Sequence, residues 1–476
     1  MLYNKVLAIT CVALALSAPA FAAHHRLTAE WWLTTADRSS EFSRQKTDLA
    51  FAPPSASAKL TDSQGSTTPT IAVDPSTTFQ TIDGFGYCLT GGSAQHLINM
   101  SADARKALLE ELFGQDGNDL GVSYLRVTIG SSDLNDHVFS YDDIPAGQTD
   151  PSLTQFTIAE DEKNVIPILQ QILAINPRIT ILASPWSAPT WMKTNDDVKG
   201  GELKEEDYPV YAQYLARYVQ EMKKRGITVD AITPQNEPMN TNNTPSMRMT
   251  AEAEEKFVKE DLGPVFQAAG LSTKIIVWDH NCDLPNYPLT ILDDPDAAKY
   301  VDGSGFHLYR GKITALSTVH FAHPEKNVYF TEEMVVDNWG FNPSKPVSSV
   351  LIGATRNWSR NVLLWNLAAN SAMQPHTDNG GCPICEGAVT IDGDDVKRNV
   401  AYYAVAHFSK FVSPGSTRID STDVDGLPNV AFKTPDGKTV LVVANTTDAA
   451  QTFQVACDGQ SIQPTLPGHA VATFVW

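Results

Sequence analysis

"DYPVYAQYLARYVQEMKKRG", residues 207–226, and "AITPQNEP", residues 231–238, stand only four residues apart, and reading them together decides the fold. In the first, Tyr211, Leu215, Val219 and Met222 recur at helical spacing, and Gly226 stands as a C-terminal stop. The second opens apolar at Ala231-Ile232 and stops in polar residues and two prolines, which reads as a short buried strand. Its exit carries Asn236-Glu237-Pro238, so a carboxylate stands where the chain leaves its secondary structure. Helix, strand, then a polar strand end is the repeating unit of a parallel β/α protein.

The unit recurs in both directions. The β-type runs are "QTIDGFGYCLT" (80–90), "VSYLRVTIG" (122–130), "ITILASPWS" (179–187), "AITPQNEP", "KIIVWDHN" (274–281), "GSGFHLY" (303–309), "NVYFTEE" (327–333) and "NVLLWNLAAN" (361–370). Amphipathic stretches such as "ADARKALLEELF" (102–113) and "AEAEEKFVKEDLGPVFQAAG" (251–270) lie between them. Eight strands, mostly separated by helices, predict an α/β fold, a (β/α)8 TIM barrel over residues 79–412. No Gly-x-Gly-x-x-Gly follows the first strand, which weakens a dinucleotide-binding sheet as the rival.

After about Ser413 no helical period remains. "STRID", "NVAFKTPDGKTVLVVANTT", "QTFQVACDG" and "HAVATFVW" predict an all-β sandwich domain over 413–476, with Pro435-Asp436-Gly437 as a hairpin turn. "PTIAVDPSTTFQ" (69–80) is expected to add an N-terminal strand to it, placed at 68–78. Residues 23–67, rich in Ser, Thr, Ala and Pro, read as a tether or lead-in. Residues 1–22 combine one cation, Lys5, an apolar run from Val6 to Leu16 and Ala20-Phe21-Ala22, the pattern of a secretory signal cleaved after Ala22. That run is too short to span a bilayer, so a secreted or periplasmic chain without an integral membrane segment is expected.

Composition narrows the partners. Net charge is −20, and the one basic cluster, Lys223-Lys224-Arg225, closes a helix, which argues against nucleic acid or an anionic membrane surface as a partner. Five cysteines remain after the signal. Cys382-Pro383-Ile384-Cys385 suits a small loop disulfide in an exported protein, or a redox or zinc pair, although no second pair with metal spacing accompanies it. No cofactor is implied.

In a (β/α)8 barrel the chemistry sits at the C-terminal strand ends. Strand two ends near Arg126, with Ser132-Asp133 beyond, and strand three at Trp186, with Trp191 following. Strand four ends at Asn236-Glu237, strand six at His307 and Tyr309, strand seven at Glu332-Glu333 and strand eight at Trp365-Asn366. Each alone has a dull reading: a solvated loop glutamate, rim packing for the tryptophans, a core histidine, a structural arginine. Their convergence on one rim favours two carboxylates across an aromatic-walled cleft, the apparatus of glycoside hydrolysis. Trp and Tyr offer flat faces to a sugar ring, and Asn, Arg and His offer partners to its hydroxyls. Gly-x-Ser-x-Gly is absent, so a serine-hydrolase elbow is unsupported.

From Ile71 to the C-terminus the chain resembles glycoside hydrolase family 30, the glucosylceramidase family. The resemblance rests on "TIDGFGYCLTGGSA", "YLRVTIGSSDL", "LASPWSAPTWMKTN", "TPQNEP", "GFHLY", "HPEKNVYFTEE", "LLWNLA" and "YYAVAHFSKFVSPGS" in family order. It implies a barrel fused to a sandwich built from both chain ends, with no cofactor or metal. Glu237 matches the acid/base. The nucleophile motif looks like His-Pro, six residues, then Ser/Thr-Glu, which from His323-Pro324 reaches Thr331-Glu332 and so favours Glu332 over Glu333. Arg126, Asp133, Trp186, Asn236, His307, Tyr309 and Trp365 match positions lining the glucose subsite. The implied function is a secreted retaining β-glucoside hydrolase acting by double displacement. "GGCPICEGAVTID" (380–392) and "TGGSA" (90–94) look more like the microbial β-1,6-glucanase branch than animal glucosylceramidases, which leaves an endo-β-1,6-glucanase as the alternative, and a non-catalytic carbohydrate-binding protein behind both.

Overall fold

A computed structural model describes residues 27–53, 68–117, 119–336 and 340–476; the export signal read in residues 1–22 lies outside the described residues. Eight parallel strands close into a barrel: Gly84–Leu89, Tyr124–Ile129, Thr180–Pro185, Ala231–Ile232, Lys274–Cys282, Val301–Gly311, Asn327–Glu332 and Ser359–Leu364. All eight fall within the runs read from sequence or extend them. Helices Ala102–Phe113 and Tyr208–Lys224 also stand where the periodicity puts them. The stretch from Ala251 to Ala268 is helical throughout but carries a π-helical turn at Val258–Leu262.

The barrel interior is layered by the period of two along each strand. Tyr124, Leu182, Ala231, Ile276, Tyr329 and Leu363 form a buried apolar plug. Two residues further along, the same faces carry Arg126, Ser184, Thr233, Thr331 and Trp365, so an apolar floor gives way to a polar layer. The fifth strand breaks the count. Trp278 and Asp279 both have positive φ, +76° and +51°, and the pairing with the sixth strand shifts register there, so Asp279 and not Trp278 enters the barrel.

The second unit is a ten-stranded sheet folded around its own core of Ala29, Leu33, Ile71, Val73, Ile419, Ala431, Leu441, Val443, Val455 and Phe474, matching the expected sandwich. The strand expected near 68–78 runs Thr70–Thr81 and pairs with Thr417–Ser421 and Gln454–Cys457. The reading of 23–67 as a tether is corrected. Thr28–Thr34 is a strand hydrogen-bonded to Val471–Val475, with Ala29 and Leu33 in the sandwich core and the Trp32 ring 4.5 Å from that of Phe411. Its own alternation was masked by the Ser/Thr/Pro-rich composition of the residues after it.

"TVLVVA" (439–444) shows how the units join. Leu441 and Val443 face the sandwich core, while Val440 and Val442 pack with the barrel's cluster beside Phe408. Both faces are covered, so the strand is apolar throughout. Helix Val400–Ser409 lies in this seam, and its buried His407 places its two ring nitrogens 2.8 Å from Thr34 Oγ1 and 2.8 Å from Thr473 Oγ1. Burial pushes His407 from 6.5 down to about 3, so it is neutral when folded. The unfolded chain binds this proton first. The stability His407 contributes is therefore complete above pH 6.5 and is lost as pH falls from 6.5 toward 3. Thermal melts of wild type and His407→Gln across that window should converge toward acid, because the variant lacks the group that must charge; parallel curves would contradict this.

Candidate active site

A cavity of about 430 Å³ opens at the C-terminal end of the barrel, walled by Asp133, Trp186, Glu237, Tyr309, Glu332 and Trp365. Glu237 leaves the short fourth strand with φ +45°, an uncommon backbone for a residue with a side chain. The turn is held because its N–H donates to the Asp279 carbonyl at 3.0 Å. Its carboxylate accepts from Asn240 Nδ2 at 2.6 Å and from His307 Nδ1 at 3.2 Å. Opposite, Glu332 accepts from Arg126, and from Tyr309 Oη at 2.9 Å. Oxygens of Glu237 and Glu332 and a ring nitrogen of His307 all lie within 4.8 Å of one another.

Arg126 organises the floor. It is fully buried, mid-strand rather than at a strand end, and donates also to Asn236 Oδ1 at 2.6 Å, Asp279 Oδ2 at 2.8 Å and Ser184 Oγ at 3.2 Å. Asn236 therefore turns its carbonyl end to the guanidinium and its amide nitrogen away. Trp186 and Trp365 stack at 5.4 Å between ring centres, and Arg126 lies 4.9 Å from the Trp186 ring. Of the seven residues expected to line a sugar subsite, Asp133, Trp186, Tyr309 and Trp365 line the cavity. Arg126 and His307 instead hold Glu332 and Glu237 from beneath, and Asn236 holds Arg126. Trp186 Nε1 is buried without a hydrogen-bond partner among the described residues.

Sequence reasoning passed over the fifth strand, and with it Asp279 and His280. The signal was present: "IIVW" turns polar at "DHN" just where a barrel strand should end. Asp279 is buried; burial alone would raise its pKa, but the charge of Arg126 and the hydrogen bond from His307 hold it well below the usual carboxylate range. His307 donates Nε2–H to Asp279 at 3.1 Å and Nδ1–H to Glu237. Burial disfavours its charge, yet the charge of Glu332 and these two hydrogen bonds lift it to about 10, so it is an imidazolium. Burial pushes Glu237 up, but the hydrogen bond from His307 and the charges of His280 and His307 bring it to about 2. Glu332 is raised by burial, against the pull of His307 and Arg126. Asp133 is driven to about 8 by burial and by both glutamates. Glu237, His307 and Glu332 have the spacing of a metal site, but Arg126 and Tyr309 already occupy the oxygens of Glu332 and His307 carries charge, so the cluster suits protons better than a cation.

One cavity wall is closed by Cys382 and Cys385, which form a disulfide; Cys385 packs with Trp186, Trp365 and Cys88. Of the readings the spacing allowed, the loop disulfide is the one present. Cys88, Cys282 and Cys457 are free and buried.

Residues 82–412 match the glycosyl hydrolase family 30 TIM-barrel domain and residues 415–474 the glycosyl hydrolase family 30 beta sandwich domain. The chain belongs to glycoside hydrolase family 30. It is a hydrolase of glycosidic bonds. It is 33% identical over 423 residues to the endo-1,6-beta-D-glucanase neg1 of Aspergillus fumigatus, covering 83% of this chain and 85% of that one. To the lysosomal acid glucosylceramidase of Mus musculus it is 29% identical over 442 residues, covering 85% and 83%. Among solved structures, the endo-beta1,6-glucanase BT3312 superposes with a TM-score of 0.85 at 32% identity, covering 94% of this chain and 99% of that one. Among the described residues of this family 30 member, no helix is long and apolar enough to cross a membrane.

Proposed function

We propose that the protein is an exported, retaining β-glucoside hydrolase whose substrate is a β-1,6-linked glucan. The observation that carries the mechanism is the approach of Glu237 and Glu332. Carboxylates about 5–5.5 Å apart suit a covalent intermediate, whereas inversion needs about 6.5–9.5 Å to seat a water between them. With oxygens within 4.8 Å, the site matches the first arrangement. Glu332, ionised, attacks the anomeric carbon; Glu237, protonated, gives its proton to the departing oxygen. Water then loses a proton to Glu237 and cleaves the glycosyl-enzyme, restoring Glu332. In the unliganded site the needed proton resides on His307. The reactive state requires that proton on Glu237, moved along the 3.2 Å hydrogen bond once attack by Glu332 removes the charge that holds it on His307.

The glucan assignment draws on relatives: endo-1,6-beta-D-glucanases of Aspergillus fumigatus and Trichoderma harzianum, and BT3312 in structure. Export draws on the N-terminal signal pattern. A second reading, a glucosyl lipid, is favoured by the apolar, exposed Met239 and Leu284 at the cavity mouth. Parallel assays on pustulan, gentiobiose, laminarin and glucosylceramide separate these. Oligosaccharides released from pustulan are expected, with little turnover of laminarin. Glucosylceramide as the preferred substrate would transfer the assignment to the second reading, and activity on xylan alone would end both.

A further inference from the structure

Glu254, on helix Ala251–Phe257, is fully buried and lines no part of the catalytic cavity. Its Oε1 accepts from the Trp278 N–H at 3.1 Å, and its Oε2 lies 2.8 Å from Tyr287 Oη. Trp278 is the first of the two left-handed residues that rotate Asp279 into the barrel. Such backbone persists only where its surroundings impose it, and Glu254 binds its N–H from outside.

Both arms of this contact end at Glu237. The Asp279 carbonyl, next along from Trp278, accepts the Glu237 N–H at 3.0 Å. Tyr287 Oη also lies 2.9 Å from the Met249 carbonyl, and the Met249 N–H donates to the Pro238 carbonyl at 2.8 Å. Glu254 thus touches the supports on either side of the turn that aims Glu237. We infer that Glu254 is a positioning residue for the acid/base: a protonated carboxyl that fixes the Trp278–Asp279 bulge and, through it and through Tyr287–Met249, the Glu237 turn.

The protonation follows from counting hydrogens. Tyr287 has one hydroxyl hydrogen and faces two oxygens. The Met249 carbonyl can only accept, so Tyr287 donates there and Glu254 must donate to Tyr287. Burial, which raises the Glu254 carboxyl to about 8, agrees. A neutral acid with one donor and one acceptor is mimicked by glutamine, so Glu254→Gln should behave like wild type and Glu254→Ala should not.

This inference rests on Glu237 as the acid, and the test separates the two. kcat/KM reports the glycosylation step, which needs the acid for a sugar leaving group (gentiobiose) and hardly at all for 2,4-dinitrophenyl β-glucoside. Glu237→Ala must first show that split; if it does not, the functional reading fails. Glu254→Ala is then expected to lose about tenfold or more on gentiobiose, mostly in kcat, and less than about threefold on the aryl glucoside. Glu254→Gln should restore both. If Glu254→Ala does not fold, Tyr287→Phe, which removes the link to Met249, should show the same split at smaller size. Equal losses on the two substrates, or a glutamine variant as impaired as the alanine one, would overturn the inference.

Discussion

Glu332→Ala is expected to lose about 10⁴-fold or more of its kcat, the scale on which removal of a covalent nucleophile acts. Adding azide should restore turnover of an activated glucoside, but with an α-glucosyl azide as product. The azide enters the space vacated by the carboxylate and attacks the anomeric carbon as the bond to the leaving oxygen breaks. One displacement replaces two, so configuration inverts. The anomeric proton coupling in the NMR spectrum of the product distinguishes the outcomes. The fold should survive, because Arg126 keeps Asp279 and Asn236 as partners. Glu333 is the control. Burial, helped by the charge of Glu332, raises it to about 8, so it is neutral and Glu333→Gln changes little about it. Loss of turnover in Glu333→Gln with an active Glu332→Ala would reverse the assignment.

The adjacent pair also marks where sequence stops being sufficient. Counting by twos from Tyr329, which lies in the barrel plug, gives Thr331 and then Glu333 as inward residues. Strict alternation therefore points Glu333 inward. The motif spacing from His323-Pro324 favours Glu332, and Glu332 is the one that lines the cavity, because the pairing of strands six and seven shifts register between Phe306 and His307 and sets His307 opposite Glu332. Strand existence was legible because parallel barrel strands are buried on both faces and written as apolar runs. Departures from regular backbone were not. Gly, and more weakly Asn and Asp, advertise a positive φ in a sequence, but here Glu237 and Trp278, which do not, make the turns that aim the chemistry together with Asp279. Asp279 was missed for that reason as well: regular alternation from Ile276 points Trp278, not Asp279, into the barrel. The strand Thr28–Thr34 was lost for a different one. Its partner, Val471–Val475, lies at the far end of the chain, and no local signal reports such a pairing.

Arg126→Met should combine a loss of stability with a loss of activity, and the former should depend on pH in a direction set by the buried charges. In the wild type, Arg126 compensates Asp279 and Glu332, both nearly inaccessible to water. Removing one partner of a buried ion pair costs about 3–5 kcal/mol when the remaining charge is left uncompensated. Two carboxylates are left here, and protonation is their relief. Asp279 in the wild type is held below its ordinary value, so it stabilises the fold above pH 3.8 and that contribution fades as pH falls further. In the variant, burial is no longer opposed by the guanidinium: Asp279, left with His307 alone against it, moves up, and Glu332, already raised in the wild type, moves up further. The variant's folded state then binds more protons than its unfolded state, and its stability declines as pH rises through the ordinary carboxylate range. The gap in Tm between wild type and Arg126→Met should accordingly be large at pH 7 and shrink toward pH 4. Arg126→Lys should fall between them, since an ammonium restores the charge but cannot span Ser184, Asn236, Asp279 and Glu332 as the planar guanidinium does. A gap that stays constant with pH would mean that Arg126 acts through packing under Trp186, and the electrostatic account of the barrel floor would have to be abandoned.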